Sequence, residues 1–492
     1  MADDLKQKMI GTLAWTTIDR FGQQIIQFVI GVVLARLLSP AEYTLIALVM
    51  IFVALSNTLV DGGFGQALVR KLDANDTDFS TVFYFNVFVS VCLYLLLYFL
   101  APLIADFYNQ PKLVEVARVV FIAILVNSLY LIPNVKLIRK LDLKSNTVVN
   151  ITSVILSGIT GIILAIKGMG VWALVAQQVS FQITRVIVIS CFVRWKPKLK
   201  FSFLVLQNFF SYGMNLLGTT ILNNIFSYIY ILVLGKFFPK QEVGLYYQAN
   251  KLNETTNYSF QVVLSSTYNV FVKIQDDTDR FLRVFRELVR RSSVIIFPLL
   301  LLLIAIANPL INVLLSAKWA PAIPYFQLLC LASLSNPLYT LIISALNARG
   351  KSKNTFRIEF IKKALIVISV LVCLKYGIIA LLIGFSVANW LSALITIFAI
   401  KREINHYWKN QLKDILPSIF IGIVIAIVST LMSLIITNLY FLLISQLFVS
   451  MIVYITMVKL LLPELFSQAL NFVQSNVFKP ILKYRYRNNL ED

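Results

Sequence analysis

About fourteen long apolar stretches run through this chain, and the loops between them alternate between rich and poor in Lys and Arg. A run of roughly 18 or more apolar residues can cross a bilayer as a helix, because about 20 residues span a hydrocarbon core of about 30 Å. The stretches lie near 10–35, 43–61, 81–105, 117–134, 147–166, 171–193, 207–234, 242–270, 289–316, 323–347, 357–374, 377–400, 414–437 and 439–462. Segments on the cytoplasmic side retain Lys and Arg. With the N-terminus inside, about three-quarters of the 44 Lys and Arg fall in cytoplasmic segments. No external loop then holds more than two, and no cytoplasmic segment holds fewer. Arg20, Arg185, Lys251 and Lys459 stay inside or at the edges of spans.

The net charge of +21 is therefore mostly a topology signal. A nucleic-acid footprint would need a basic stripe on a soluble domain, and none is long enough to fold alone. The first residues mix acids with bases, and the first span carries Asp19 and Arg20, unlike a cleaved signal peptide. Cys92, Cys191, Cys330 and Cys373 all fall in spans and read as small buried apolar residues rather than disulfides or metal ligands. The single histidine, His406, sits beside Tyr407 and Trp408 at the interface. Histidine-based catalysis or metal binding inside the membrane is thereby excluded, and no cofactor or metal is expected.

The two halves repeat. The segment Leu34–Leu45 returns about 200 residues later as Leu234–Leu245, each joining the first and second span of a six-span unit. Asp76-Thr77-Asp78-Phe79 returns as Asp277-Thr278-Asp279-Arg280-Phe281, and Lys144-Ser145-Asn146-Thr147 loosely as Ser352-Lys353-Asn354-Thr355. Six spans is an even number, so both units enter the membrane the same way, giving a parallel repeat about an axis along the membrane normal. The predicted fold class is an all-α integral membrane protein of about 14 transmembrane helices. It divides into an N-terminal lobe (1–200, spans 1–6), a C-terminal lobe (201–405, spans 7–12) and residues 406–492, which hold spans 13 and 14 and a basic amphipathic cytoplasmic tail. The Asp-x-Asp pairs could hold a metal, but each precedes an apolar run and reads as a helix N-cap. Residues 279–293 read as an amphipathic interfacial helix, and Gly62-Gly63-Phe64-Gly65 as a hinge or close-packing turn rather than a phosphate cradle.

Polar stripes mark the interior. Span one carries Thr12, Thr16, Arg20, Gln23 and Gln27 on one face, with Asp19 at its edge. Span seven carries Ser211, Asn215, Thr219, Asn223 and Ser227 at every fourth position. Span eight carries Tyr247, Lys251, Glu254, Tyr258, Gln261 and Ser265, with Asn250 and Asn257 beside them. A mid-membrane charge costs about 2.5–3.5 kcal/mol on insertion scales, so these side chains must meet water, ligand or partner. Local ion pairs, Asp19–Arg20 and Lys251–Glu254, are one account of the charges. A polar cavity accounts for the whole stripes.

Ala35-Arg36-Leu37-Leu38-Ser39-Pro40-Ala41-Glu42-Tyr43, Asp61-Gly62-Gly63-Phe64-Gly65 and Ala67-Leu68-Val69-Arg70-Lys71 resemble the opening of Wzx-type polysaccharide exporters. Gly244–Leu252, Lys318-Trp319-Ala320-Pro321-Ala322 and Asn347–Ser352 extend the likeness in order over most of the first 360 residues. These exporters belong to the multidrug/oligosaccharidyl-lipid/polysaccharide superfamily, and the chain is most similar to its colanic-acid-exporter-like lipopolysaccharide biosynthesis proteins. Thr44 departs from the glycine usual there. The resemblance implies fourteen helices in two lobes and alternating-access translocation of undecaprenyl-diphosphate-linked oligosaccharide across a bacterial cytoplasmic membrane. No ATPase domain and no enzymatic reaction are implied, nor is a nucleic-acid partner.

The expected substrate-binding residues are Arg20, Gln23, Gln27, Asn215, Asn223, Tyr247, Lys251, Asn257 and Gln261. Asp19, Asp61 and Glu254 are candidates for ion coupling. A monomer with both termini cytoplasmic is expected, serving a polysaccharide polymerase and chain-length machinery. A lipid II flippase, a multidrug exporter, and a membrane polymerase or glycosyltransferase remain as other readings. Topology is directly testable in a background cleared of native cysteines. Cysteine in place of Lys167 or Lys318 is expected to react with an impermeant thiol reagent from outside, and in place of Lys198 or Arg283 not to react. The reverse pattern would overturn the orientation.

Overall fold

In the computed structural model, residues 2–265, 267–404 and 407–473 are described, and all of their regular structure is helical. The chain forms two compact units, Met1–Gln248 and Ala249–Asp492. The first unit holds α1 (Ala2–Leu37), α2 (Pro40–Asp61), α3 (Phe64–Arg70), α4 (Asp76–Phe107), α5 (Leu113–Val120), α6 (Ile122–Arg139), α7 (Leu143–Ile166), α8 (Val171–Phe192), α9 (Phe203–Phe237) and the start of α10 (Lys240–Ser265). The second continues with α11 (Thr267–Lys273), α12 (Thr278–Ala305), α13 (Ala307–Leu314), α14 (Ile323–Ser333), α15 (Asn336–Ala348), α16 (Ser352–Cys373), α17 (Ile378–Ile404), α18 (Trp408–Ile435), α19 (Leu439–Leu461) and α20 (Pro463–Val473). These units reflect packing and differ from the division by sequence repeat, because α9, the seventh span, packs against α2.

Twelve helical segments among the described residues are long and apolar enough to cross a membrane. The count of fourteen read from the sequence adds α10 and α16. At 26 and 22 residues both are long enough, about 39 and 33 Å. They fall short only in apolarity, since α10 carries Lys251 and Glu254, and α16 carries Arg357, Glu359, Lys362 and Lys363.

Local chemistry sets the boundaries. Before α2, the Ser39 amide and hydroxyl both donate to Glu42 Oε2 (2.6 and 2.9 Å), with Pro40 at the first helical position. Gly62 and Gly63 take φ of 52° and 76°, left-handed values that suit glycine, and so turn α2 into α3. The Asp-x-Asp signals are start signals, as expected, though in the first the cap itself is Asn75. Its Oδ1 accepts from the amides of Thr77 and Asp78, while Asp78 accepts from the Asn75 amide and from Lys71 Nζ (2.9 Å). In the second, Asp277 Oδ1 accepts from the Arg280 amide (2.9 Å).

Small residues bring helices together within the first unit. A Cβ on Gly158 would overlap Ile30, and one on Gly161 would press on Gln177 and the Ala173 carbonyl, so α7 sits close to both α1 and α8. The starts of α2 and α10 also meet. Thr44 Oγ1 donates to the Lys240 carbonyl, and a Cβ on Gly244 would overlap the Pro40 carbonyl. Positions 40 and 44 correspond to 240 and 244 in the sequence repeat, so each position meets the counterpart of the other.

In the second unit α17 packs against α14, α15 and α16, and α18 lies along α12. Residues 279–293 are helical, as their pattern predicts, but do not form a helix of their own. They are the opening turns of a continuous α12, with Phe281, Phe285 and Val289 buried and Phe271 stacked on Phe281 at 5.0 Å. Two of the cysteines also depart from expectation: Cys92 and Cys191 are exposed on helix surfaces, Cys373 is half-buried, and only Cys330 is buried. An exposed thiol is weakly polar enough to face lipid as readily as a core. His406, and the basic tail beyond Val473 with Lys483, Arg485 and Arg487, lie outside the described residues.

The α12–α18 junction is fixed by charge. The Asp414 carboxylate, fully buried, accepts from Arg286 Nε and Nη2 (both 2.9 Å) and from Arg290 Nε (2.8 Å). Deeper along the seam, Gly422 lies against Pro298 and the Phe297 carbonyl. Removing one partner of a buried pair costs about 3–5 kcal/mol, and these arginines are partly exposed and able to rehydrate. Asp414→Ala is expected to lose about 3 kcal/mol of stability, read as a lowered thermal midpoint of the detergent-purified protein. An unchanged midpoint would show that the pair contributes nothing.

Candidate functional site: polar helix faces in each unit

Helix α1 shows two exposed faces of opposite character. Ile18, Ile25 and Val29 lie on one, and Arg20 and Gln27 on the other, about 180° away at 100° per residue. Between them runs the seam with α7, where Ile30 and Gly22 are packed. An apolar face suits lipid, and a face with Arg20 and Gln27 suits an aqueous cavity.

Behind Arg20 a polar chain crosses the first unit. Asp19 Oδ1 accepts from Gln23 Nε2 (2.8 Å) and Asn150 Nδ2 (3.3 Å). Asn150 also donates to Asn146, and the Tyr130 hydroxyl donates to the same Asn146 oxygen (3.4 Å). The Arg185 guanidinium lies 3.6 Å from the centre of the Tyr130 ring and donates to Gln182 (3.3 Å). Asp19 is thus held by amides on its own helix and on α7, and among the described residues no ion pair links it to Arg20.

Elsewhere in this unit Asn57 accepts from Asn127 (3.0 Å), and Asn224 donates to Thr58 (2.7 Å). Asn223 is exposed on α9. Tyr247 is half-buried, its ring 6.4 Å from that of Tyr43. Asp61 is half-buried, and the missing side chain of Gly65 leaves room for its carboxylate. Asn215 lies on α9, and its side chain is outside the described residues.

In the second unit α10 divides its polar residues. Lys251, Glu254, Tyr258 and Gln261 are exposed along one face. Asn250 Nδ2 donates to Glu254 Oε1 (2.8 Å), and among the described residues no ion pair joins Lys251 to Glu254. Asn257 turns inward. It donates to Ser333 Oγ (2.8 Å) and accepts from Asn336 (3.4 Å), while Ser333 donates to Asn253 (3.0 Å). Asn257 therefore fastens α10 to α14 and α15 rather than lying on the face that carries Lys251.

Sequence reasoning missed a second charged group in this unit. The Tyr339 hydroxyl on α15 donates to Glu359 Oε1 on α16 (2.5 Å), and Lys362 Nζ lies 3.8 Å from the centre of the same ring. Both charges lie inside the apolar stretch 357–374, outside the polar stripes read from the sequence. Because α16 starts at Ser352, Glu359 and Lys362 stand about 10–15 Å along the helix. The available signal was a Glu–Lys pair at i, i+3 on the side away from Phe356, Phe360 and Leu371, which form the helix's exposed apolar face. Arg185, which sequence alone left unassigned within a span, is the cation over a tyrosine ring in the first unit. Among the described residues no group of three or more His, Cys, Asp or Glu could hold a metal. The faces offer cations, amides, carboxylates and aromatic rings, the set that binds sugars and phosphates.

Comparison with known proteins adds the family. Residues 33–324 match the family model described as "Polysaccharide biosynthesis protein". The teichuronic acid biosynthesis protein TuaB of Bacillus subtilis is 24% identical over 85% of this chain and 88% of its own length. The lipopolysaccharide biosynthesis protein WzxC of Escherichia coli is 24% identical over 81% of this chain and 82% of its own. A solved structure of the lipid II flippase MurJ, in an inward closed conformation, covers 91% of this chain and 99% of that one. Its TM-score is 0.77 at 18% identity, so it shares the fold. This chain, a multi-pass helical membrane protein, belongs to the polysaccharide biosynthesis protein family.

Proposed function

We propose that this protein is a flippase that carries undecaprenyl-diphosphate-linked oligosaccharide across the bacterial cytoplasmic membrane by alternating access. The observation that carries the reading is the pair of polar exposed faces, α1 with Arg20 and Gln27 and α10 with Lys251, Glu254, Tyr258 and Gln261, on helices embedded in a membrane. Arg20 and Lys251 supply cations for a diphosphate. Gln23, Gln27, Asn215, Asn223, Tyr247, Asn257 and Gln261 supply or position partners for sugar hydroxyls. The prenyl chain stays in lipid. Asp19, Asp61 and Glu254 are the candidates for coupling to an ion gradient. The relatives' names fit a polysaccharide cargo, and the shared fold of MurJ keeps lipid II as the second reading. The protein acts as a carrier rather than an enzyme. It works as a monomer with both termini in the cytoplasm, handing its cargo to a polymerase and chain-length machinery.

The cations decide the matter. A hydrogen bond to a charged group contributes about 1.5–3 kcal/mol, so Arg20→Ala or Lys251→Ala should lower export of surface polysaccharide by about tenfold or more. Membrane insertion should be unaffected, since losing a charge eases insertion. Arg20→Lys restores export if charge alone counts, and little if a bidentate fork to phosphate is needed. The charge-swapped double variant Lys251→Glu with Glu254→Lys should remain defective. Full surface polysaccharide from that variant would make Lys251 a structural partner and sink its role toward substrate.

Coupling has a separate readout. Glu254→Gln keeps the Asn250 contact geometry but removes the charge. If Glu254 couples transport to protons, this variant transports lipid-linked sugar in vesicles at a rate indifferent to an imposed pH gradient. A rate that still follows the gradient removes Glu254 from the coupling set.

A further inference from the structure

At the Lys/Arg-rich ends of α12, α18 and α19, the second unit holds a cavity of about 490 Å³. Arg283, Arg286, Arg290 and Gln468 form its polar wall, and Leu462 and Leu465 its apolar one. Its position is at the membrane boundary, since α19 ends at Leu461 and the short amphipathic α20 begins at Pro463. We propose that this cavity binds the phosphodiester headgroup of an anionic phospholipid, with the acyl chains leaving along Leu462 and Leu465.

The wall is built for an anion. Buried Asp414 holds Arg286 and Arg290 from behind, so two guanidiniums are fixed without paying their own ordering entropy when a ligand arrives. One carboxylate cannot neutralise both. Arg290 spends only its Nε on Asp414, which leaves its terminal nitrogens for another acceptor. Glu287, also on the wall, is engaged by Arg291 at 2.5 Å, and Arg291 in turn donates to Gln468 at 2.9 Å. With Glu464 at the rim, Arg283 still leaves the pocket positive. A single negative charge with two apolar tails matches that wall. Basic pockets at the cytoplasmic ends of membrane helices bind anionic headgroups for these reasons. The inference does not depend on the cargo, because the pocket is lined by α12, the end of α19 and α20, and by no residue of α1 or α10.

The test uses the full chain in nanodiscs of phosphatidylcholine doped with phosphatidylglycerol, counting lipids retained on extraction by native mass spectrometry. The wild type should retain phosphatidylglycerol in preference to phosphatidylcholine. Arg283→Gln should weaken that retention about fivefold, and Glu464→Lys should strengthen it. Neither variant touches Asp414, so both should fold, and equal thermal midpoints in pure phosphatidylcholine check that they do. A parallel arm replaces phosphatidylglycerol with a prenyl diphosphate. Equal retention of the two phospholipids, or no response to either substitution, would overturn the proposal. So would retention of the prenyl diphosphate alone, which would make the cavity a docking point for the lipid-linked cargo.

Discussion

Hydrocarbon offers a backbone amide nothing to bond with. In that solvent every spanning segment must satisfy its own N–H and C=O groups, and the helix is the one way a single segment can do so. The all-helical architecture, the long helices and the short connections follow from this. So does the meaning of the exceptions. A polar side chain on such a helix carries a cost, and only a partner, water or a ligand offsets it. Asp414 and Asp78 have partners on adjacent elements. Arg20, Lys251 and Gln261 are exposed on helix faces, and those are the faces where a cargo is to be sought.

The apolar runs made the helices legible, and capping chemistry made several of their starts legible too. Ser39 with Glu42 before α2 and Asp277 before α12 could be read from residue type and spacing alone. Side-chain direction within a polar helix was harder. Asn257 lies beside the stripe that holds Gln261 and was grouped with it, yet the first bonds to Ser333 and the second is exposed. Spacing gives the face of a helix, but not which neighbour occupies that face. Glu359 and Lys362 escaped notice because they lie inside the stretch 357–374 as a single pair, without the repeated polar spacing that marked the other stripes. Arg185 was visible as a cation in a span, but its seat over Tyr130 depends on α6 and α8 meeting, a pairing that no local pattern encodes.

The last two long helices have no counterpart in the repeat, and their attachment is chemically distinct from the rest. Elsewhere small residues and single hydrogen bonds join the helices, as with Gly158 on Ile30, Ser90 on Ser128 and Asn150 on Asp19. The α12–α18 seam adds a buried carboxylate shared by two guanidiniums. Shape alone lets helices slide in lipid, where packing differs little between registers. A two-pronged ion pair does not slide, because one turn of slippage would strand a buried charge. The amphipathic opening of α12 is therefore both a membrane-edge element and an anchor.

The reciprocal contact between the starts of α2 and α10 has a genealogical consequence. Residue 44 touches 240 while 244 touches 40, which on the duplication expected from the sequence makes the two surfaces two copies of one surface. A half-length ancestor carrying that surface could have paired with itself, and fusion of two copies would have preserved the pairing inside one chain. Covalent linkage then released the two positions from having to be identical. One now carries a hydroxyl that bonds across the contact, and the other carries no side chain, which leaves room for the opposing carbonyl. A symmetric pair of threonines would have placed a second side chain against that carbonyl. The departure at Thr44 is therefore a form of asymmetry open to a fused duplicate and closed to a homodimer.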